Sequence, residues 1–301
     1  MVRGDNRGRM KRRAVCFLIV CLFTGPLASQ VVGQAGSTAS LPVEYVYATP
    51  DGVKLKVYVF SPQPDKTAQP RAAIILFHGG GWALGEPQWA FSRAQHFAER
   101  GLLAVAAQYR LSNEKKGFTP LEAMADARAA IRWMRTHADS LCIDPERIAA
   151  FGWSAGGHLA ACAAIFDNAA ADSRVSAAPN ALILVSPAVS LGSDPWPAHL
   201  LGTRAKIGEI SPDEHVREGL PPTLVLQGSQ DTVTPLAGVE RFCDRMRAAG
   251  NKCEMHVYEG FGHLFTPPGV PDGDWPKPDP ATQADAMVRA DSFLKSLGFM
   301  K

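Results

Sequence analysis

Gly152-Trp153-Ser154-Ala155-Gly156 lies between an apolar run of strand type and a run of helical type. A strand that turns sharply into a helix strains its central residue, and only small residues fit two positions before and after it. The pattern predicts a nucleophile elbow that raises the Ser154 hydroxyl above the sheet edge and leaves the N–H of Ala155 free at a helix start. The alternative is a glycine and serine turn without chemistry.

On both sides of this pentapeptide, short apolar runs alternate with runs of helical periodicity. We predict strands over 43–48, 54–60, 72–77, 102–108, 147–153, 181–186, 223–227 and 253–259. We predict helices over 88–100, 120–138, 155–166, 235–249 and 281–297. This alternation favours a single α/β domain over 36–301, with a mostly parallel sheet covered by helices on both faces. Asp51-Gly52 predicts an antiparallel hairpin at its N-terminal edge.

Two connections are longer than a compact α/β domain requires, and both are rich in proline. Residues 188–221 lie between two predicted strands, and residues 266–280 follow the last one. Long loops inside a compact domain are usually functional or disordered. We interpret both as walls of a substrate pocket, with 188–221 as a small cap insertion; the alternative is plain surface excursions.

The first 35 residues have the pattern of a secretory signal peptide. A basic stretch precedes the apolar run 14–23, and small residues then lead to Ala35, after which we expect cleavage. Ten apolar residues are too few to span a bilayer, so a retained anchor is the weaker alternative. Cys21 as a lipid attachment site and the Arg12-Arg13 pair as a twin-arginine signal are further alternatives. We therefore predict a secreted or periplasmic protein without stable membrane insertion.

Charge and cysteine content exclude some partners. Removing the leader takes six basic residues and one acidic residue from totals of 31 and 29, which leaves a net charge of about −3. A nucleic-acid surface is therefore not indicated. Four cysteines remain: Cys142, Cys162, Cys243 and Cys253. Cys243 and Cys253 are candidates for a disulfide, Cys162 for a buried thiol, and no cysteine or histidine spacing indicates a metal.

A serine hydroxyl needs a base within hydrogen-bonding reach and an acid that orients the base. Only His256 and His263 follow the strand predicted at 223–227; His256 falls inside a strand, whereas His263 follows that strand in a turn. We therefore predict His263 as the base. Asp231 is the first carboxylate after the strand at 223–227 and is the predicted acid, with a turn or capping role as the alternative.

Residues 78–82 read His-Gly-Gly-Gly-Trp directly after a predicted strand. Glycines let backbone N–H groups approach a ligand closely, so we predict that Gly80 and Gly81, with the N–H of Ala155, form an oxyanion hole. Trp82 and Trp153 are predicted substrate-binding residues, with core packing as the alternative for Trp82. His78 and His158 are expected to be structural.

Four segments, 78–82, 152–158, 228–231 and 260–263, together resemble the α/β-hydrolase superfamily. More narrowly, the chain is similar to the secreted esterase and lipase-like group that includes acetyl xylan and feruloyl esterases. This resemblance implies hydrolysis of carboxylic esters with small acyl groups and no cofactor. In that group the acid usually follows a strand ending in His-Gly, whereas Gln227-Gly228 stands here.

The motifs and the resemblance together favour a secreted serine carboxylesterase that hydrolyses short-chain acyl esters through an acyl-enzyme. Acetyl or feruloyl esters of plant polysaccharide are the candidate substrates. One alternative is a prolyl-oligopeptidase-like serine peptidase, although no propeller repeat precedes residue 72. The other is a non-catalytic binding protein on a hydrolase scaffold, although such proteins usually lose the serine, the histidine or the glycines.

Overall fold

A computed structural model describes residues 41–62, 69–167, 175–192, 194–272 and 275–301. The predicted signal peptide, 1–35, lies outside the described residues. Within them, every helix is too short or too polar to cross a membrane.

Eight strands form one sheet. Their bounds are β1 Val43–Ala48, β2 Leu55–Phe60, β3 Arg71–Phe77, β4 Leu103–Ala107, β5 Ile143–Trp153, β6 Ala181–Val185, β7 Thr223–Gly228 and β8 Cys253–Tyr258. The spatial order is β1-β2-β4-β3-β5-β6-β7-β8. The pairs β1–β2 and β2–β4 are antiparallel, and every pair from β4 to β8 is parallel. The predicted mostly parallel sheet with an antiparallel N-terminal edge is therefore confirmed.

Seven α-helices accompany the sheet in the part of the chain that the structure describes. Their bounds are α1 Phe91–Glu99, α2 Pro120–Thr136, α3 Ala138–Leu141, α4 Ala155–Ile165, α5 Pro195–Leu201, α6 Leu236–Ala248 and α7 Pro280–Ser296. The start of α2 follows from its sequence: Thr119 accepts a hydrogen bond from the N–H of Leu121, Glu122 accepts from the N–H of Thr119, and Pro120 occupies the first turn. The short helix α5, inside 188–221, was not predicted because its seven residues, which include two prolines and one tryptophan, lack helical periodicity.

Apolar cores on the two faces of the sheet explain the apolar strands. Neighbouring residues of one strand enter opposite cores, as Ile74 and Ile75 do. Helices α2, α4 and α6 cover one face, and α1 and α7 cover the other. Helix α4 is buried over its whole length, which places the elbow at the centre of the domain.

Three of the four cysteines that follow the predicted leader lie in these elements. Cys243 of α6 and Cys253 of β8 form a disulfide, with their Cα atoms 5.6 Å apart. Cys162 of α4 is a buried thiol, as predicted.

Candidate active site

The turn between β5 and α4 has the strained geometry that the pentapeptide predicts. Ser154 has φ 53° and ψ −123°, a backbone conformation that residues other than glycine rarely adopt. A Cβ at Gly152 would overlap the carbonyl oxygen of Gly156, and a Cβ at Gly156 would overlap that of Phe77. Because both obstacles are backbone atoms, neither position accepts a larger residue without moving a strand or the helix.

The structure brings Ser154, His263 and Asp231 together across loops at the carboxyl ends of three strands. Ser154 Oγ lies 3.0 Å from His263 Nε2, and Asp231 Oδ2 lies 2.9 Å from His263 Nδ1. All three residues are buried or nearly so. An imidazole that donates from Nδ1 to a carboxylate presents its other nitrogen as an acceptor to the hydroxyl.

Asp231 is held by several donors besides His263. Oδ1 accepts from the N–H groups of Val233 and Thr234, and Oδ2 accepts from Thr234 Oγ1 and Gln227 Nε2. These bonds fix the carboxylate in one orientation. Gln227, at the end of β7, thus holds this carboxylate directly.

The glycine turn after β3 lies in the same pocket as Ser154. Gly80 has φ 112°, and a Cβ there would overlap the carbonyl oxygen of Leu84, so glycine is required. Gly81 has φ 57°, and its carbonyl oxygen accepts from Trp196 Nε1 at 2.9 Å. Among the described residues, neither glycine N–H donates to a backbone carbonyl. The N–H of Ala155, in the first turn of α4, has no acceptor within its own helix.

A cavity of about 460 Å³ opens above Ser154. Tryptophans from four segments line it: Trp89, Trp153, Trp196 and Trp275. Both long connections contribute walls of this cavity, through Trp196 of 188–221 and Trp275 of 266–280. Neither of these two tryptophans was named from the sequence, because loop composition does not indicate which side chain faces inward.

Trp82 is not a wall of this cavity, so its predicted substrate contact needs correction. Its backbone φ of 61° turns the ring into the core, where it is 2% exposed. There Trp82 Nε1 donates to His158 Nδ1 at 3.1 Å. The packing alternative describes this residue, whereas Trp153 does line the cavity.

A second carboxylate beside His263 was missed in the sequence. Asp272 accepts from the backbone N–H of His263 at 2.6 Å and from the N–H and hydroxyl of Thr232 at 2.8 and 2.7 Å. Burial raises the pKa of Asp272, but the bonds from Thr232 and His263 outweigh it and hold this pKa below its ordinary value. Asp272 therefore ties the loop that carries Asp231 to the loop that carries His263.

Two other histidines lie beneath the site and have structural contacts, as expected. His158 Nε2 contacts the carbonyl oxygen of Ile210 at 2.8 Å, and His78 Nδ1 contacts that of Gly79 at 2.6 Å. Burial lowers the pKa of each histidine to about 4, although these carbonyl contacts partly oppose it. Since Trp82 can only donate, His158 accepts at Nδ1 and carries its proton at Nε2.

We expect acid to destabilise the protein through these two imidazoles. Their pKa is about 4 in the folded chain, against an ordinary value of 6.5, so between these values the unfolded state binds more protons. The stabilisation is complete above pH 6.5 and is lost as the pH falls towards 4, by up to about 3 kcal/mol for each histidine. Urea unfolding across this range, for the natural chain and His158→Asn, measures the effect. The variant should be less stable at neutral pH, yet lose less on acidification; parallel curves would contradict the assignment to His158.

Metal ligands are not clustered in the described part of the chain: no group of three or more His, Cys, Asp or Glu side chains there could hold a metal ion. The arrangement present instead combines a hydroxyl, an imidazole, a carboxylate and free backbone donors.

Comparison with known proteins places this chain among esterases. The BD-FAE family model matches residues 58–183. The apo form of esterase 2 from Thermogutta terrifontis is 34% identical with a TM-score of 0.76, over 89% of this chain and 99% of that one. The same esterase phosphorylated by paraoxon is 35% identical with a TM-score of 0.75, over 87% of this chain and 96% of that one.

A curated relative is an acetylxylan esterase of Xylanibacter ruminicola. It is 27% identical to this chain over 237 residues, which cover 71% of this chain and 47% of the relative. The chain spans about half the length of the curated relatives it matches.

Proposed function

Because this chain belongs to the α/β-hydrolase esterase group, we propose that it is a serine carboxylesterase whose nucleophile is Ser154. The observation that carries the proposal is the pair of contacts of His263, 3.0 Å from Ser154 Oγ and 2.9 Å from Asp231 Oδ2. A histidine beside a carboxylate could also serve other proton transfers. The buried hydroxyl of Ser154, in contact with the second ring nitrogen of His263, adds the nucleophile that ester hydrolysis needs.

In the proposed first step, Ser154 Oγ attacks the carbonyl carbon of the ester while its proton passes to His263 Nε2. Asp231 keeps the Nδ1 proton of His263 in place and stabilises the imidazolium that forms. His263 then gives the proton to the departing alcohol oxygen, which leaves an acyl group on Ser154. A water molecule then attacks the acyl carbonyl carbon while His263 Nε2 takes its proton. As the bond from that carbon to Ser154 Oγ breaks, His263 gives the proton to Oγ, which releases the acid and restores the hydroxyl.

Negative charge develops on the carbonyl oxygen in both tetrahedral intermediates. We assign its stabilisation to the N–H groups of Gly80, Gly81 and Ala155. Each such donor is worth about 3 kcal/mol in a transition state when it is fixed in place beforehand. The positive φ values of both glycines, and the hydrogen bond from Trp196 to Gly81, support a fixed turn.

Short acyl esters of plant polysaccharide, acetyl or feruloyl, are the substrates we propose. The BD-FAE match and the acetylxylan esterase relative support this choice. Trp196 and Trp275, 45% and 58% exposed, line the cavity and offer wide apolar faces beside open solvent. Such faces suit the flat side of a sugar or an aromatic acid.

Export from the cytoplasm is part of the proposal. The leader pattern of 1–35 supports it, as does the Cys243–Cys253 disulfide, since disulfides persist in oxidising compartments. The amino-terminal residue of the mature protein is the measurement that decides it.

We expect the purified protein to release acetate from acetylated xylan and to hydrolyse p-nitrophenyl acetate and butyrate faster than the octanoate. We also expect paraoxon to inactivate it stoichiometrically, with one phosphoryl group on Ser154 located by peptide mass spectrometry. Intact esters together with an unmodified Ser154 would contradict the proposal and favour a binding role. Faster cleavage of aminoacyl-proline anilides than of acetate esters would favour the peptidase alternative instead.

A further inference from the structure

Arg93 of α1 lines the cavity above Ser154 without a partner of opposite charge. Its guanidinium carbon lies 4.7 Å from the ring centre of Trp153, the residue next to the nucleophile. Among the described residues, no carboxylate forms an ion pair with Arg93, and no hydrogen bond from its guanidinium is present. Stacking on an aromatic ring holds the cation in place but does not neutralise it.

The other ionisable side chains that line the cavity, Asp272 and His263, already have hydrogen-bond partners other than Arg93. Asp272 accepts three hydrogen bonds from Thr232 and His263, and His263 is held by Asp231 and Ser154. Arg93 is the one Arg or Lys among the described lining residues, and no carboxylate of the lining lies within ion-pair distance of it. Burial lowers its pKa, and no neighbouring carboxylate counters this effect. A partly desolvated cation without a counter-ion is costly unless a ligand supplies the charge.

Arg93 also stands at the boundary of a second space. Arg93 and Gln283 line both the cavity above Ser154 and an adjoining one of about 270 Å³ between α1 and α7. The adjoining cavity is otherwise lined largely by apolar side chains, among them Phe151 and Met287. A planar guanidinium and an amide at one border form a set of donors suited to a carboxylate.

We propose that Arg93 binds a carboxylate where a substrate carries one in addition to its ester group, so that an anionic ester is hydrolysed faster than its matched neutral counterpart. This inference rests on the proposed esterase function and names a substrate class for it. The carboxylate belongs either to the acyl part, as in a half-ester of a dicarboxylic acid, or to the alcohol part, as in an esterified hydroxy acid. In both cases the bond to Arg93 places the remainder of the substrate along Trp153, towards Ser154.

Two pairs of esters separate these sources at neutral pH. 4-Acetoxybenzoate and its methyl ester differ only in a carboxylate on the alcohol side. Monoethyl adipate and diethyl adipate differ in a carboxylate on the acyl side. We would measure kcat/KM for all four with the natural chain, Arg93→Met and Arg93→Lys. Arg289→Met is the matched control, because it removes an equal charge from an arginine that pairs with Asp285 and does not line the cavity.

The natural chain should prefer the anionic member of at least one pair by about tenfold or more, as a charged hydrogen bond in a desolvated site predicts. Arg93→Met should abolish the preference while changing the neutral esters by less than about threefold. Arg93→Lys should keep part of the preference, and Arg289→Met all of it. The pair that loses its anionic preference in Arg93→Met shows whether Arg93 binds a carboxylate on the acyl side or on the alcohol side of the ester.

Three outcomes would overturn the inference: no preference in either pair, a preference that survives Arg93→Met, or an equal loss for both members of a pair. Hydrolysis of the neutral esters in these cases would leave the proposed function standing. No hydrolysis of any of the four esters would overturn that function, and this inference with it.

Discussion

Ser154→Ala is expected to lower kcat/KM for p-nitrophenyl acetate by about 10⁴- to 10⁶-fold. The hydroxyl that contacts His263 Nε2 at 3.0 Å is the only group that the substitution removes. The glycine turn, the N–H of Ala155 and the cavity all remain, so we expect residual hydrolysis above the rate in water. Spectrophotometric assays at several enzyme concentrations would measure this residual activity of Ser154→Ala.

Ser186→Ala is the matched control for this substitution. Ser186 is also buried, and its hydroxyl accepts from the N–H of Leu264, next to His263. Loss of this bond should cost about 1 kcal/mol of stability and less than about tenfold in kcat/KM, because no proton transfer passes through it. If both alanine variants lost activity equally, the effect would come from the packing of the site, and Ser154 would not be the nucleophile.

The positions of Ser154, Asp231 and His263 in the fold could be predicted because each follows a constraint that is local in sequence. Nearby backbone atoms leave no room for a Cβ at Gly152 or Gly156, so a pattern of five consecutive residues is enough to predict the elbow. Asp231 follows β7, whose six residues are all buried, and His263 follows β8 at the edge of the sheet. Parallel strands bring their carboxyl ends to one edge, which makes the order along the chain informative.

The walls of the cavity could not be predicted in this way. Trp82 directly follows the glycine turn, yet its positive φ directs it into the core, while Trp196 and Trp275 reach the cavity from distant connections. Arg93 lies on a helix whose polar positions look alike in sequence. Asp272 resembles a turn residue in a loop rich in proline and glycine, and only the folded chain places it on the N–H of His263.

Asp231→Asn is expected to lower kcat by about 10⁴-fold with little change in fold. The carboxylate accepts from His263 Nδ1 and from four other donors, including Thr234 and Gln227. An asparagine amide has one acceptor oxygen, and its NH₂ group would face a donor wherever it points. The imidazole would therefore favour the tautomer with its proton on Nε2, which cannot accept from Ser154. Steady-state kinetics with p-nitrophenyl acetate, together with thermal unfolding, would measure both effects.

Asp272→Asn makes the same change of charge and shape on the other side of His263, and it tests whether the tautomer or the loop position matters. Asp272 contacts the backbone N–H of His263 rather than its ring, and an amide oxygen can still accept that bond. We expect a loss below about tenfold in kcat and a lower unfolding temperature, since the link to Thr232 weakens. Equal losses in kcat at both positions would mean that Asp231, like Asp272, acts by holding a loop. A loss confined to Asp231 would instead assign it to the imidazole, because Asp231 contacts the ring of His263 and Asp272 contacts only its backbone N–H.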